Sequence, residues 1–237
     1  MAPRSTSMIL DCSSFDNAMT SVASIFGKSK SALTATLEST TDLTEEELHK
    51  FIDQELGKPR SDYEVVWFHG SRAENASCFK TNGILTTSEA KKYLEPLLRD
   101  LAKDLTKVGE GPYAGCLATK VMLNDDGPFA FLIRDAVVTS HFLEAPEFVS
   151  DFASDLLGKN YKLLVNRFKE ITHPYIVRFV ERPEGHELHN ALYFLHLVVT
   201  GESIADAVSR ANTCFNARGN AIPFARIQNV ELVKNGA

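Results

Sequence analysis

The residues with the most chemistry within reach stand at the end of one apolar run. Val65-Val66-Trp67-Phe68 leads directly into His69-Gly70-Ser71-Arg72. β-branched and aromatic side chains favour a buried strand, and a glycine after them either ends the strand or lets a ligand approach the main chain. A histidine at the mouth of such a strand can hold a hydroxyl or move a proton, and Gly70 adds a backbone donor with no side chain in the way. Trp67, the single tryptophan of the chain, lies here too. The competing reading is an ordinary surface or core histidine.

Other clusters are less well spaced. His186-Glu187-Leu188-His189 places two histidines three apart. The zinc-protease helix needs them four apart, and no third ligand is spaced to match, so a solvated helix start is preferred and no metal is expected. Glu187 is expected in a loop after Pro183-Glu184-Gly185. Cys78 lies nine residues after His69, but nothing in the sequence activates it, and an inert thiol is the better reading. Ser71 is not in a glycine elbow. Gly27-Lys28-Ser29 lacks the upstream glycine and the strand of a phosphate-binding loop.

Those residues must be held by a folded frame. The chain has 237 residues, 44% hydrophobic and 24% charged, which is ordinary globular composition with room for a sizeable core. A net charge of −6 argues against a broad nucleic-acid footprint. No apolar run reaches membrane-spanning length. Cys12, Cys78, Cys116 and Cys214 form no paired motif, so free thiols in a reducing cytoplasm are expected.

Residues 1–40, rich in Ser and Thr, are expected to form a partly disordered arm with short helices. Residues 41–60 read as a capped amphipathic helix, with Thr44 and Glu47 as a capping box and Gly57 and Pro59 as the stop. Residues 61–237 read as an α+β domain. A short helix lies between Ala73 and Gly83. A longer one, capped by Thr87 or Ser88, runs from Glu89 to about Val108. Strands are expected over Tyr113–Met122, Phe129–Val138, Tyr175–Val180 and Ile227–Val233, with a turn at Asn124–Pro128. Helices are expected over Pro146–Leu157, Lys162–Ile171, Leu188–Val199 and Ile204–Ala211. Strands and helices do not alternate strictly, which favours α+β over a doubly wound sheet.

The run Phe68-His69-Gly70-Ser71 resembles the first strand motif of the His-type ADP-ribosyltransferases, the class of poly-ADP-ribose polymerases and diphtheria toxin. Asn82-Gly83-Ile84-Leu85 is similar to the turn that follows in that family. Ala221-Ile222-Pro223-Phe224-Ala225-Arg226-Ile227, leading into Val230-Glu231-Leu232, is similar to its closing strand. The resemblance covers about residues 65–237. It implies a mixed or antiparallel sheet core with flanking helices, behind an N-terminal helical arm. It also implies NAD as substrate, with ADP-ribose transferred to an unidentified macromolecule or NAD hydrolysed.

Within that resemblance His69 would position the ribose and Gly70 the nicotinamide amide. Ser71 and Arg72 would adjoin the cofactor, and Tyr113 would be the stacking aromatic. The family's catalytic glutamate usually precedes the closing strand. Here the only acid between Ser203 and Val230 is Asp206. Glu231 and Glu187 are therefore the carboxylates considered for that role. The alternatives are a catalytically inactive ligand- or protein-binding module on the same fold, and an α+β domain of unrelated function.

Overall fold

A computed structural model describes residues 8–40, 45–113 and 126–234. Its strands are β1 (Met8–Leu10), β2 (Tyr63–Ala73), β3 (Phe129–Phe131), β4 (His173–Glu181), β5 (Cys214–Asn216) and β6 (Ile227–Leu232). Its α-helices are α1 (Phe15–Ile25), α2 (Lys30–Glu38), α3 (Glu45–Leu56), α4 (Ser77–Asn82), α5 (Thr87–Ala102), α6 (Arg134–Val138), α7 (Glu147–Leu157), α8 (Tyr161–Ile171), α9 (Glu187–Val199) and α10 (Ile204–Ala211). The strands form one mixed sheet in the order β5-β3-β2-β4-β6, with β1 beside β2. β1 runs parallel to β2, whereas β3 is antiparallel to β2 and β6 to β4. The α+β class expected from the sequence holds.

The chain divides into two compact units, one of Met1–Phe68, Phe131–Thr139 and Val180–Phe215, the other of His69–Ala130, Ser140–Phe179 and Asn216–Ala237. The first unit corrects the expected arm. Ser14 and Ser29 cap α1 and α2, their side chains accepting from Asn17 N and Ala32 N. One apolar face of each helix is then buried: Ala18, Val22 and Ile25 in α1, Leu33 and Leu37 in α2. Leu10 of β1 is fully buried and pairs with Val65. Each such side chain contributes about 1.5–3 kcal/mol by leaving water, so this segment is core rather than appendage.

α9 is apolar almost all round and correspondingly buried, with Phe194 edge-on to Phe15 at 6.3 Å. Its His196 is buried, with Nδ1 3.0 Å from Thr40 Oγ1. The Thr40 hydroxyl donates to Leu37 O at 2.6 Å, so its oxygen accepts from the imidazole N–H. Residues 129–138, expected as one strand, split in two. Ile133 N donates to Asn212 Oδ1 and Arg134 N to Cys12 O, and these partners, distant in sequence, turn the chain into α6.

The second unit is organised by α5, α7 and α8. Leu98, Ala102, Phe148, Val149, Phe152, Leu157, Leu164 and Phe168 form its hydrophobic core. α5 begins at Thr87, two residues earlier than expected, because Thr86 is the cap and closes a capping box with Glu89. It ends at Ala102, not near Val108. Gly83 ends α4 with φ of 70°, and a Cβ there would lie 2.1 Å from Ile222 O. Only glycine permits that approach, and it lets Ile84 and Ile222 exchange two backbone hydrogen bonds of 2.9 Å. All but Tyr113 of the expected strand 113–122, the Thr44 cap and the start of the Asn124–Pro128 turn lie outside the described residues.

Candidate functional site

β2 does not stop at Gly70. It continues to Ala73, so His69 sits within the strand and not at its mouth. From His69 onward the strand lines a cavity of about 180 Å³ in the second unit. Phe79, Gly83 and Ile84 close one side, Tyr93 and Leu94 of α5 another. Phe148 and Asp151 reach in from α7, and Phe168 from α8. The lining is mostly apolar, with few polar groups converging on it, which is the usual composition of a small-molecule site.

His69 is held in place through its ring. Its Nδ1 lies 2.6 Å from Phe129 O. A carbonyl only accepts, so Nδ1 carries the hydrogen and, in the neutral ring, Nε2 keeps a lone pair. Burial lowers the pKa below the ordinary histidine value and so favours the neutral form, while the hydrogen bond to the Phe129 carbonyl partly offsets this. This ring can accept a hydrogen bond from a hydroxyl, or take a proton from one.

Arg72 is placed differently from its expected role beside a cofactor. Nε donates to Thr172 Oγ1 at 3.1 Å, and Nη1 to Leu143 O at 2.9 Å. Nη2 donates to Lys169 O at 2.9 Å and Thr172 O at 2.6 Å. Four of the five N–H groups of a guanidinium are thereby engaged. Three acceptors are main-chain carbonyls, two of them at the end of α8, where a cation also meets the negative end of the helix dipole. Arg72 is a clamp on that helix end, though it borders the cavity.

The other expected residues do not line the cavity. Tyr113 is 42% exposed and packs edge-on against Tyr161 at 5.5 Å. Glu231 lies on β6 opposite Ile176 of β4. Glu187 is neither in a loop nor solvated: it is the first residue of α9, fully buried. Its carboxylate accepts from Glu184 N at 2.7 Å and Gly185 N at 2.9 Å, satisfying main-chain donors ahead of the helix. Cys78 borders the cavity as a free thiol.

The sequence reading missed Asp151. It is 2% exposed and lines the cavity from the middle of α7. The available signal was an acid inside an apolar stripe, between Val149 and Phe152. Among the described residues no group of three or more His, Cys, Asp or Glu side chains is placed to hold a metal ion. Among the same residues no helix is long and apolar enough to cross a membrane. No family model, no curated protein and no solved structure matches the chain.

Proposed function

We propose that the chain is an ADP-ribosyltransferase-like protein that binds NAD in the His69 cavity and transfers ADP-ribose to a macromolecular acceptor or to water. One observation carries the reading. His69, Gly70 and Ser71, the residues of the family-like motif, line one cavity with Gly83 and Ile84 of the second such motif. The third, through Ile222, is hydrogen-bonded to that same turn. A volume of about 180 Å³ is below the usual 300–1,000 Å³ of small-molecule sites. It suits one ring, the nicotinamide, with the adenosine diphosphate portion outside. The neutral His69 would accept from a ribose hydroxyl through Nε2.

A second reading, a binding module without turnover, is favoured by a separate observation: neither Glu231 nor Glu187 borders the cavity. Binding is tested first. Nicotinamide and NAD, titrated to millimolar concentration, should raise the melting temperature by mass action, with a gain of RT ln(1 + [L]/Kd). His69→Ala should abolish the shift while leaving the far-ultraviolet spectrum unchanged. A folded wild-type protein that shows no shift with either compound would refute the assignment.

A further inference from the structure

We propose that the His69 cavity takes the ring of an organic cation, an aromatic or arylalkyl ammonium that donates a hydrogen bond, and excludes carboxylates and phosphates. The pyridinium of NAD carries the same charge, yet the selectivity needs no nucleotide. The volume, about 180 Å³, admits one ring with a short arm, so the charge of the ligand must lie close to the wall.

That wall is largely aromatic. Phe79, Phe129, Phe148 and Phe168 line the cavity. Tyr93 and Phe142 line it too while remaining 51% and 40% exposed, so these two rings lie where it meets solvent. The face of an aromatic ring carries partial negative charge, which attracts an ammonium and repels a carboxylate. A neutral ligand of the same shape gains the apolar contact without that attraction.

The polar groups in the lining favour the same sign. His69 keeps its ring hydrogen on Nδ1, against Phe129 O, which leaves the Nε2 lone pair as an acceptor that a ligand meets by donating. Glu74, exposed, adds a carboxylate. The hydroxyls of Ser71 and Thr87 both give and accept, so they set no sign. Among the described lining residues the one cation is Arg72, and four of its five N–H groups are taken by Thr172, Leu143 and Lys169. An anion entering here would give up its hydration with little to replace it, whereas an ammonium exchanges water for ring faces and the His69 lone pair.

Three ligands of nearly one shape test the sign: benzylammonium, benzyl alcohol and benzoate, titrated into the full chain by calorimetry at neutral pH. Benzylammonium should occupy a single site per chain, at least about threefold tighter than benzyl alcohol and at least about tenfold tighter than benzoate. Tyr93→Leu and Phe142→Leu keep apolar area and remove a ring face at exposed positions. Each should weaken benzylammonium about two- to fivefold and leave benzyl alcohol within about twofold. His69→Ala should weaken both donors and leave benzoate unchanged. The net charge of −6 draws cations to the whole surface, but salt screens that attraction. An advantage of benzylammonium that disappears at about 0.5 M salt, or that survives all three substitutions, is surface attraction and overturns the proposal. So does benzoate binding as tightly as benzylammonium, or no binding of any of the three at about 10 mM. A melting shift with NAD in a protein without this selectivity removes the cation site alone and leaves the NAD reading standing.

Discussion

Replacing Arg72 by lysine keeps the charge and removes the fork. Arginine reaches four acceptors at 2.6–3.1 Å because its five donors are arranged in a plane. A lysine ammonium on a flexible stem can reach one or two of them. A hydrogen bond from a charged donor is worth about 1.5–3 kcal/mol when well shielded, and Arg72 is only half-buried, so about 1 kcal/mol for each lost bond is appropriate. Two or three lost bonds give about 2–3 kcal/mol. Thr172 is 2% exposed, and its carbonyl at the end of α8 would lose a partner that water cannot readily replace. For a chain of this size, about 2–4 °C per kcal/mol converts the loss to a fall of roughly 4–12 °C in Tm. Calorimetry on Arg72→Lys, with urea unfolding followed by circular dichroism, measures both quantities. A change below about 0.5 kcal/mol, with ligand binding weakened, would refute the clamp and return Arg72 to the ligand.

Removing residues 1–40 should abolish the folded first unit. Leu10, Val22, Ile25, Leu33 and Leu37 are all fully buried, and at about 1.5–3 kcal/mol each their loss matches or exceeds the whole stability of a typical domain; a soluble truncated protein that unfolds cooperatively near the parent Tm would show otherwise. Stability should also fall on acidification below about pH 6.5, the ordinary histidine value. Burial lowers the folded-state pKa of both His69 and His196, so the unfolded chain takes up these protons first; stability is full above that value and is lost as pH falls through the folded pKa values. Urea midpoints from pH 7.5 to 5 measure the trend. His196→Gln should flatten it, and a midpoint that rises toward pH 5 would contradict it.

Much of the frame was legible because it is local. Gly83 after α4 and the apolar stripes of α5, α7 and α8 act within one or two turns and are carried openly, whereas the capping residues Ser14 and Ser29 do not stand out and the cap of α5 reads one or two residues late. The rest of what was not legible depends on distant partners. The Ser/Thr-rich composition of residues 1–40 reads as loose chain, yet Ser14 and Ser29 cap helices whose aliphatic residues Val22, Ile25, Leu33 and Leu37 are buried. Phe129–Val138 has strand propensity along its length, but the Ile133 and Arg134 amides donate to Asn212 and Cys12, which bends its second half into α6. In the site, the strand carrying His69 could be read from β-branched residues alone. The role of Arg72 could not, since its acceptors lie 71–100 residues away. Asp151 looked like one polar position on an amphipathic helix, and only the packing of α7 turns it inward.

The way the two units share the chain has a consequence for synthesis and dissection. The backbone passes from one unit to the other at 68/69, 130/131, 139/140, 179/180 and 215/216. Neither unit is therefore complete until its last piece, ending at Phe215 in one case and beyond it in the other, has left the ribosome. β1 already shows the delay: Met8 must wait for Tyr63 before the parallel pair can form. An unfinished chain thus holds unpaired strand edges and exposed apolar helices for most of its elongation, the interval in which chaperones engage nascent chains. For the same reason no single cut separates the units as expressible fragments. Assigning the cavity chemistry experimentally will depend on point substitutions in the whole chain.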